Sequence, residues 1–343
     1  MMSLRFYFYI LVLYASITIR TQCRDEICLP KDHVAFFIFG DSVVDDGNNN
    51  YINTTTGFQS NFAPYGETFF RYPTGRSSNG RLITDFIAEY AKLPLIPPYL
   101  HPGYERFIDG ANFASIGAGA LDETNHGMVI SLNAQLNYFN NLETTEARTS
   151  IGGNDYFVPF ASDSSMQFLQ SYSKQDYVNM VIGNLTTVIK EIYKKGGRKY
   201  VFHGLGPAGS YPLFKAMVNT SACLEELTTL VKLHNKALSE VLKLESELKG
   251  FKYSIVDVYT FVSERIDNPS KYEGKIACCG TGPYRGILSC GNRSVSSKYE
   301  LCTNTVTLVI MCSSFRKGQR TTHRANLEWN SQCLRILQSQ SIV

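Results

Sequence analysis

The stretch that decides the fold is Phe36-Phe37-Ile38-Phe39-Gly40-Asp41-Ser42, which is followed by the polar run Asp45-Asp46-Gly47-Asn48-Asn49-Asn50. An apolar, β-favouring run that ends abruptly in Gly-Asp-Ser predicts a buried strand with a serine hydroxyl just past its end. In open α/β sheets, ligands bind outside the carboxyl ends of the strands, so Ser42 is well placed to be a nucleophile. A strand followed by a serine-capped turn explains the same residues, and this stretch alone leaves both interpretations open.

Two glycine-containing segments carry the other groups that acyl transfer needs. Residues 110–119 (GANFASIGAG) are rich in small side chains, which could bring a backbone N–H close to a ligand. Residues 151–157 (IGGNDYF) place an amide side chain after two glycines. Acyl transfer requires a nucleophile and donors aimed at the developing oxyanion. Ser42, the Gly117 N–H and the Asn154 side-chain amide could supply them. The Gly-x-Ser-x-Gly elbow of the α/β-hydrolases occurs nowhere in the chain.

The order of these motifs resembles that of the SGNH hydrolases, and specifically of the plant GDSL-type esterases/lipases. The likeness continues through YPTGRSSNGRL at 72–82, NPSKY at 268–272 and ACCGTGPY at 277–284. By motif position, the resemblance implies that Ser42 is the nucleophile and that Gly117 and Asn154 are oxyanion donors. It also implies a flavodoxin-like, three-layer α/β/α sandwich with a central, mostly parallel sheet.

Alternating strand and helix patterns indicate the same α/β class. Apolar runs at 34–39, 199–203 and 253–258 predict strands, and residues 81–93 and 225–248 predict amphipathic helices, the second ended by Gly250. Such alternation predicts a parallel sheet that is covered on both faces. The length suits one large domain, which we assign to residues 24–343.

The C-terminal Asp-x-x-His block of the resembled family is not matched. The last aspartate is Asp267, and the segment after Cys302 holds one histidine, His323, with no acid before it. A serine hydroxyl is a weak nucleophile unless a base takes its proton and a third group orients that base. His323 is the candidate base, because His323-Arg324-Ala325-Asn326 faintly resembles the family's HPTExAN.

The other histidines have features of structural residues. His234 lies on the apolar stripe of the 225–248 helix, which is typical of a packed histidine whose polar atoms are satisfied. His203 lies in an apolar strand, and the remaining three lie in loops or at a strand edge: His33, His101 and His126.

Residues 303–343 also depart from the family in charge. This segment has a balance of +4, whereas the whole chain has +3. A frame change in the gene model, alternative splicing or natural divergence would each explain it. Its scattered cations do not predict a nucleic-acid partner.

A second departure precedes Asn154. Family members carry a longer segment there, with a helix and a strand that lead into the loop containing the equivalent of Asn154. Here residues 142–150 are polar, whereas a buried parallel strand should be almost continuously apolar. We therefore expect that Asn154 lacks the strand that would position it, and that the chain as written is inactive or nearly so.

The N-terminus predicts secretion. Arg5 precedes an apolar run from Phe6 to Ile19, which is typical of a signal peptide at residues 1–23 and too short for a stable membrane span, although a membrane anchor is the alternative. Nine cysteines fit an oxidising compartment, and four sequons suit a glycoprotein. The sequons begin at Asn53, Asn184, Asn219 and Asn292.

The resemblance implies short disulfide loops among the late cysteines Cys278, Cys279, Cys290 and Cys302, and a zinc site is the rival interpretation. Family members often have Cys at the position of Ser210, paired with the equivalent of Cys223, so Cys223 is expected to be unpaired here.

These patterns lead to two function hypotheses. The first is a secreted serine ester hydrolase that acts on lipid or other small-molecule esters, with no cofactor, no metal and no nucleic-acid partner. The second is a catalytically inactive relative, or a defective gene product, that retains the scaffold.

Overall fold

The computed structural model describes residues 34–104, 107–142, 148–150, 152–241, 243–269, 275–287, 290–291 and 300–301. All of them except Val34 belong to one unit of the chain, Ala35–Val343. The expected signal peptide at 1–23 and the divergent segment at 303–343, with His323, lie outside the described residues.

Four short strands form two parallel pairs. Strand β1 (Ile38–Gly40) pairs with β2 (Arg148–Ser150), and β3 (Lys199–His203) pairs with β4 (Lys252–Val256). Strand β2 also lies against β3, and Asn112 forms a parallel bridge with β1. The parallel segments therefore follow one another in the order Asn112, β1, β2, β3 and β4. A separate antiparallel pair joins Cys279–Gly280 to Glu300–Leu301.

Helices connect and cover these strands. The helices include α1 (Ile83–Tyr90), α2 (Leu132–Asn140), α3 (Asn154–Phe157), α4 (Asp163–Gln170), α5 (Lys174–Lys194), α6 (Pro212–Met217), α7 (Glu225–Val241), α8 (Leu244–Glu247) and α9 (Val258–Asp267). Side-chain caps start α2, α5 and α9, where Ser131, Ser173 and Asp257 accept a backbone N–H of the first turn. No helix in the described part of the chain is both long and apolar enough to cross a bilayer.

Both faces of β1 are buried. Phe37 and Phe39 pack on Phe139 of α2, with ring centroids 5.2 and 5.5 Å apart. The alternate residues Phe36 and Ile38 join a second cluster that contains buried residues of α1. Side chains alternate between the two faces of a strand, so this continuous apolar run fills two cores at once.

The predicted strands are confirmed, with shifted ends for β1 and β4. The expectation that residues 142–150 supply no parallel strand is wrong, because Arg148–Ser150 pairs with Ile38–Gly40 residue by residue. Backbone groups alone make a ladder, so polar side chains do not prevent a three-residue strand. The helix predicted over 225–248 is also shorter, since α7 ends at Val241 and α8 follows it.

Candidate active site

Ser42 lies in a tight turn directly after β1. The N–H groups of Val44 and Asp45 donate to the Asp41 carbonyl at 3.2 and 2.9 Å, and the Val43 N–H donates to the Asp41 carboxylate at 3.0 Å. Ser42 is half-buried, and its hydroxyl has no hydrogen-bond partner among the described residues. The turn therefore fixes the backbone of the predicted nucleophile and leaves its hydroxyl available.

Asp45 ties this turn to the segment that contains Gly117. Its buried carboxylate accepts the N–H groups of Gly47 and Asn48, both at 2.8 Å, and that of Ile116 at 3.0 Å. Burial raises the pKa of Asp45 to about 6. Ile116 immediately precedes Gly117, so one carboxylate sets the distance between the two segments.

Buried amide side chains reinforce the same connection. The Asn48 amide donates to the carbonyls of Asn112 and Ala114 at 2.8 and 2.9 Å. The Asn49 amide donates to the Ile116 carbonyl at 3.1 Å, and its oxygen accepts the Ser115 hydroxyl at 2.6 Å. The polar run after Ser42 therefore has a structural role that its sequence pattern did not reveal.

Gly117 adopts a backbone conformation that favours glycine. Its φ is 88°, and a Cβ at this position would lie 2.5 Å from the ring of Phe58. Its carbonyl accepts the Asn125 amide at 2.8 Å. Its N–H has no acceptor among the described residues, as an oxyanion donor requires.

Asn154 begins α3, which is held against the segment after Gly117. The Asn154 amide donates to the Ala118 carbonyl at 2.8 Å. The neighbouring Asp155 carboxylate accepts the Ala120 N–H at 2.8 Å, the Leu121 N–H at 2.9 Å and the hydroxyl of Thr124 at 2.7 Å. An amide NH₂ has two protons, so Asn154 keeps one for a ligand.

The Asp155 carboxylate at the start of α3 acts electrostatically on Asp41 in the Ser42 turn. Burial, with a smaller contribution from the Asp155 carboxylate, raises the pKa of Asp41 to about 6. Burial likewise raises the pKa of Asp155 to about 6. The structure thus gathers the segments that contain Ser42, Gly117 and Asn154 at the carboxyl ends of neighbouring parallel segments.

No described histidine is hydrogen-bonded to Ser42. His101 is half-buried and His126 is exposed, and their Nδ1 atoms contact backbone carbonyls. Burial lowers the pKa of His203 to about 4. His234 is fully buried, which confirms that it is packed. The expectation that its polar atoms are satisfied holds for Nδ1 and is wrong for Nε2, which has no partner among the described residues. His323 lies outside the described residues.

Arg76 is a further structural residue of the site that its motif alone did not explain. Its buried guanidinium donates to both carboxylate oxygens of Asp85, at 3.0 and 2.8 Å, and lies 3.8 Å from the Asp46 carboxylate. Burial raises the pKa of Asp46 well above its usual range, against the attraction of Arg76. This network joins the loop after Ser42 to the first turn of α1.

The cysteines follow the expectation in part. Cys279 and Cys290 form a disulfide, and Cys223 is free and exposed. The Ser210 hydroxyl lies 2.9 Å from the Cys223 sulfur, where the resemblance implies a disulfide. Within the described ranges, no group of three or more His, Cys, Asp and Glu side chains is arranged to hold a metal ion.

Comparison with known proteins gives the class and then the family. A family model for GDSL-like lipase/acylhydrolase matches residues 36–284. GDSL esterase/lipase 2 of Arabidopsis thaliana is 49% identical over 309 residues, 82% of each chain. GDSL esterase/lipase 5 of the same plant is 44% identical and the GDSL lipase of Tanacetum cinerariifolium 42%, each over 86% of this chain and 82% of its own length. Proteins of this class are serine ester hydrolases with an α/β fold. The chain belongs to the GDSL-like lipase/acylhydrolase family.

Proposed function

We propose that this protein is a serine ester hydrolase that uses Ser42 to cleave carboxylic esters of small molecules or lipids. The Gly117 N–H and the Asn154 amide donate to the oxyanion of the tetrahedral intermediate. The observation that supports the proposal is that the segments containing these residues contact one another at the β1–β2 end. The Ser42 hydroxyl and the Gly117 N–H both lack partners among the described residues.

The reaction follows from these roles. Ser42 Oγ attacks the ester carbonyl while a base takes the hydroxyl proton, and the tetrahedral intermediate expels the alcohol, which receives that proton. Water then attacks the acyl-serine ester, its proton passes to the same base, and the carboxylic acid leaves as Ser42 regains its hydrogen. His323 is the candidate base, and no described histidine competes for this role through a bond to Ser42.

A catalytically inactive relative is the second candidate function. It is favoured by the unmatched Asp-x-x-His block and by a Ser42 hydroxyl without a histidine partner among the described residues. Loss of a catalytic base leaves a serine hydrolase with only the contributions of its oxyanion hole and binding, a residual ~10³–10⁴-fold over water.

Turnover of a short-chain p-nitrophenyl ester tests the proposal. Ser42→Ala should abolish enzymatic turnover, and Asn154→Ala should lower it by ~10²-fold, as expected for one lost oxyanion donor. Ser171→Ala serves as a matched control, because that exposed hydroxyl only donates to the Phe168 carbonyl. Equal turnover by the parent protein and Ser42→Ala would remove the nucleophile assignment.

We also propose secretion, with residues 1–23 as a signal peptide and residues 24–343 as one three-layer α/β/α domain. The buried faces of β1 and the family membership support the layered architecture. Asn53 and Asn219 are exposed, whereas Asn184 is half-buried in α5 and donates to the Ala120 carbonyl at 3.2 Å. Glycans are therefore expected at Asn53 and Asn219, and enzymatic deglycosylation of the secreted protein and its single Asn→Gln variants would reveal them.

A further inference from the structure

His234 is a buried histidine that lies beside the loop of the oxyanion donor Asn154. It belongs to the inward face of α7 and is fully buried, together with Leu230 and Val231. Its Nδ1 atom lies 2.9 Å from the hydroxyl of Tyr156 in α3, and the two rings meet edge to face with centroids 5.3 Å apart. One imidazole therefore joins α7 to the helix that starts with Asn154.

The same imidazole also leaves no room for a side chain at Gly152, just before Asn154. A Cβ added to Gly152 would lie 2.8 Å from His234 Cε1, and Gly152 has a φ of 126°. His234 thus touches the chain two residues before Asn154 and two residues after it. The ring lies against both ends of the short turn that presents the amide.

Packing alone does not explain a histidine at this position. Burial lowers the pKa of His234 to about 3 and raises that of Tyr156 well above its usual range, so both groups are neutral near neutral pH. The Nε2 atom is buried and has no partner among the described residues. An apolar side chain would fill the stripe of α7 without burying an unpaired nitrogen, whereas only a polar one holds the Tyr156 hydroxyl.

We propose that His234 is a positioning residue, which holds the turn from Gly152 to Tyr156 so that the Asn154 amide faces the oxyanion. The inference rests on the proposed function, because Asn154 matters only if an oxyanion forms near Ser42. His234 does not touch the reacting atoms, and it acts through the Tyr156 bond and the contact with Gly152.

The first test measures the kinetics of single and then double variants of the full chain, with p-nitrophenyl acetate as substrate. His234→Phe should lower the Ser42-dependent kcat by ~10-fold and leave KM unchanged, because an oxyanion donor acts mainly on the transition state. His234→Asn, which keeps a polar atom near the Nδ1 position, should recover part of the loss. The exposed loop residue His126 provides the control variant His126→Gln, which should have the parent kcat.

Non-additivity separates positioning from general structural damage. In an Asn154→Ala background, His234→Phe should cause no further loss of kcat, since its effect passes through the missing amide. Equal fold losses in both backgrounds would overturn the proposal.

A second readout does not depend on catalysis. With selective ¹⁵N-asparagine labelling, the Asn154 side-chain amide signals, assigned by their loss in Asn154→Ala, should shift in His234→Phe and Tyr156→Phe but not in His126→Gln. If Ser42→Ala leaves turnover unchanged, the proposed function fails and this readout alone decides the positioning of the amide. Unmoved Asn154 signals in a folded His234→Phe protein would contradict the role of His234.

Discussion

The carboxyl ends of the two parallel strand pairs differ sharply. At the β1–β2 end, the carboxylates of Asp45 and Asp155 each accept three hydrogen bonds, and both are fully buried. At the β3–β4 end, a cavity of about 400 Å³ is lined by residues that include Gly204, Lys232 and Asp257. Satisfied buried polar networks specify one arrangement of loops, so this fold fixes the loops around Ser42 more firmly than those beyond β3.

The largest expected difference comes from removing one carboxylate at each end. Asp45→Ala would leave three backbone N–H groups without an acceptor, with an expected loss of about 3–6 kcal/mol in the free energy of unfolding. Asp257→Ala removes one exposed helix cap to the Thr260 N–H and should lose only about 1 kcal/mol. Denaturant unfolding of both variants measures the difference, and equal losses would refute the contrast between the two ends.

The two ends can also be compared by adding a methyl group at Gly117 and at Gly204. Gly117→Ala places a methyl group 2.5 Å from the Phe58 ring at a φ of 88°, so we expect a loss of about 2–4 kcal/mol. A Cβ on Gly204 would instead meet its nearest atom, Asn235 Oδ1, at 3.4 Å. Thermal unfolding should therefore show little change for Gly204→Ala, and a greater loss there than at Gly117 would contradict this account.

A new disulfide should stabilise the β3–β4 half without changing the chemistry at Ser42. Ser210→Cys would place a second sulfur beside Cys223 and close a short loop, with an expected gain of about 2 kcal/mol under oxidising conditions. Thiol titration and unfolding with and without reductant measure this gain, and the exposed Ser239→Cys serves as the control. A free thiol at position 210 after oxidation would show that the geometry is unsuitable.

The smallest expected effect, taken per pH unit, is a pH dependence of opposite sign at the two ends. His203 has a pKa near 4, below the ordinary 6.5, so its contribution to stability is complete above pH 6.5 and is lost as the pH falls towards 4. Asp155 has a pKa raised from 3.8 to about 6, so its contribution is complete below pH 3.8 and is lost as the pH rises towards 6.

Replacing His203 isolates its part of this dependence. Relative to His203→Gln, the parent protein should lose up to about 1 kcal/mol of unfolding free energy for each pH unit as the pH falls from 6.5 to about 4. Unfolding curves at several pH values provide the measurement, with the exposed His126→Gln as control. Parallel pH profiles for the parent and His203→Gln would remove the predicted dependence.

Local patterns in the sequence predicted β1, β3 and β4, because long apolar runs leave few alternatives to a buried strand. They did not predict β2, because its three polar residues pair through their backbone atoms, and amino-acid composition does not reveal such pairing. The partners of Asp45 and Asn48 were also unpredictable, because Ile116 and Asn112 lie far along the chain and meet them only after folding. For His234, the helical period indicated burial, but only the tertiary structure reveals its contacts with Gly152 and Tyr156.

The central claim is that the segments at the β1–β2 end carry the proposed nucleophile and oxyanion donors, and that His323, with no acid before it in the segment after Cys302, is a weaker base than the family's Asp-x-x-His. Because Arg148–Ser150 supplies the strand before Asn154, exchange of the C-terminal segment alone should suffice to restore activity.

The most direct measurement is ester turnover, at equal folded concentration, by the protein and by a chimera in which residues 303–343 are replaced with a family C-terminus bearing Asp-x-x-His. The account predicts at least ~10²-fold higher turnover by the chimera, the usual contribution of general-base catalysis, and its loss in Ser42→Ala. Equal turnover by the two proteins, or turnover by the chimera that survives Ser42→Ala, would contradict it.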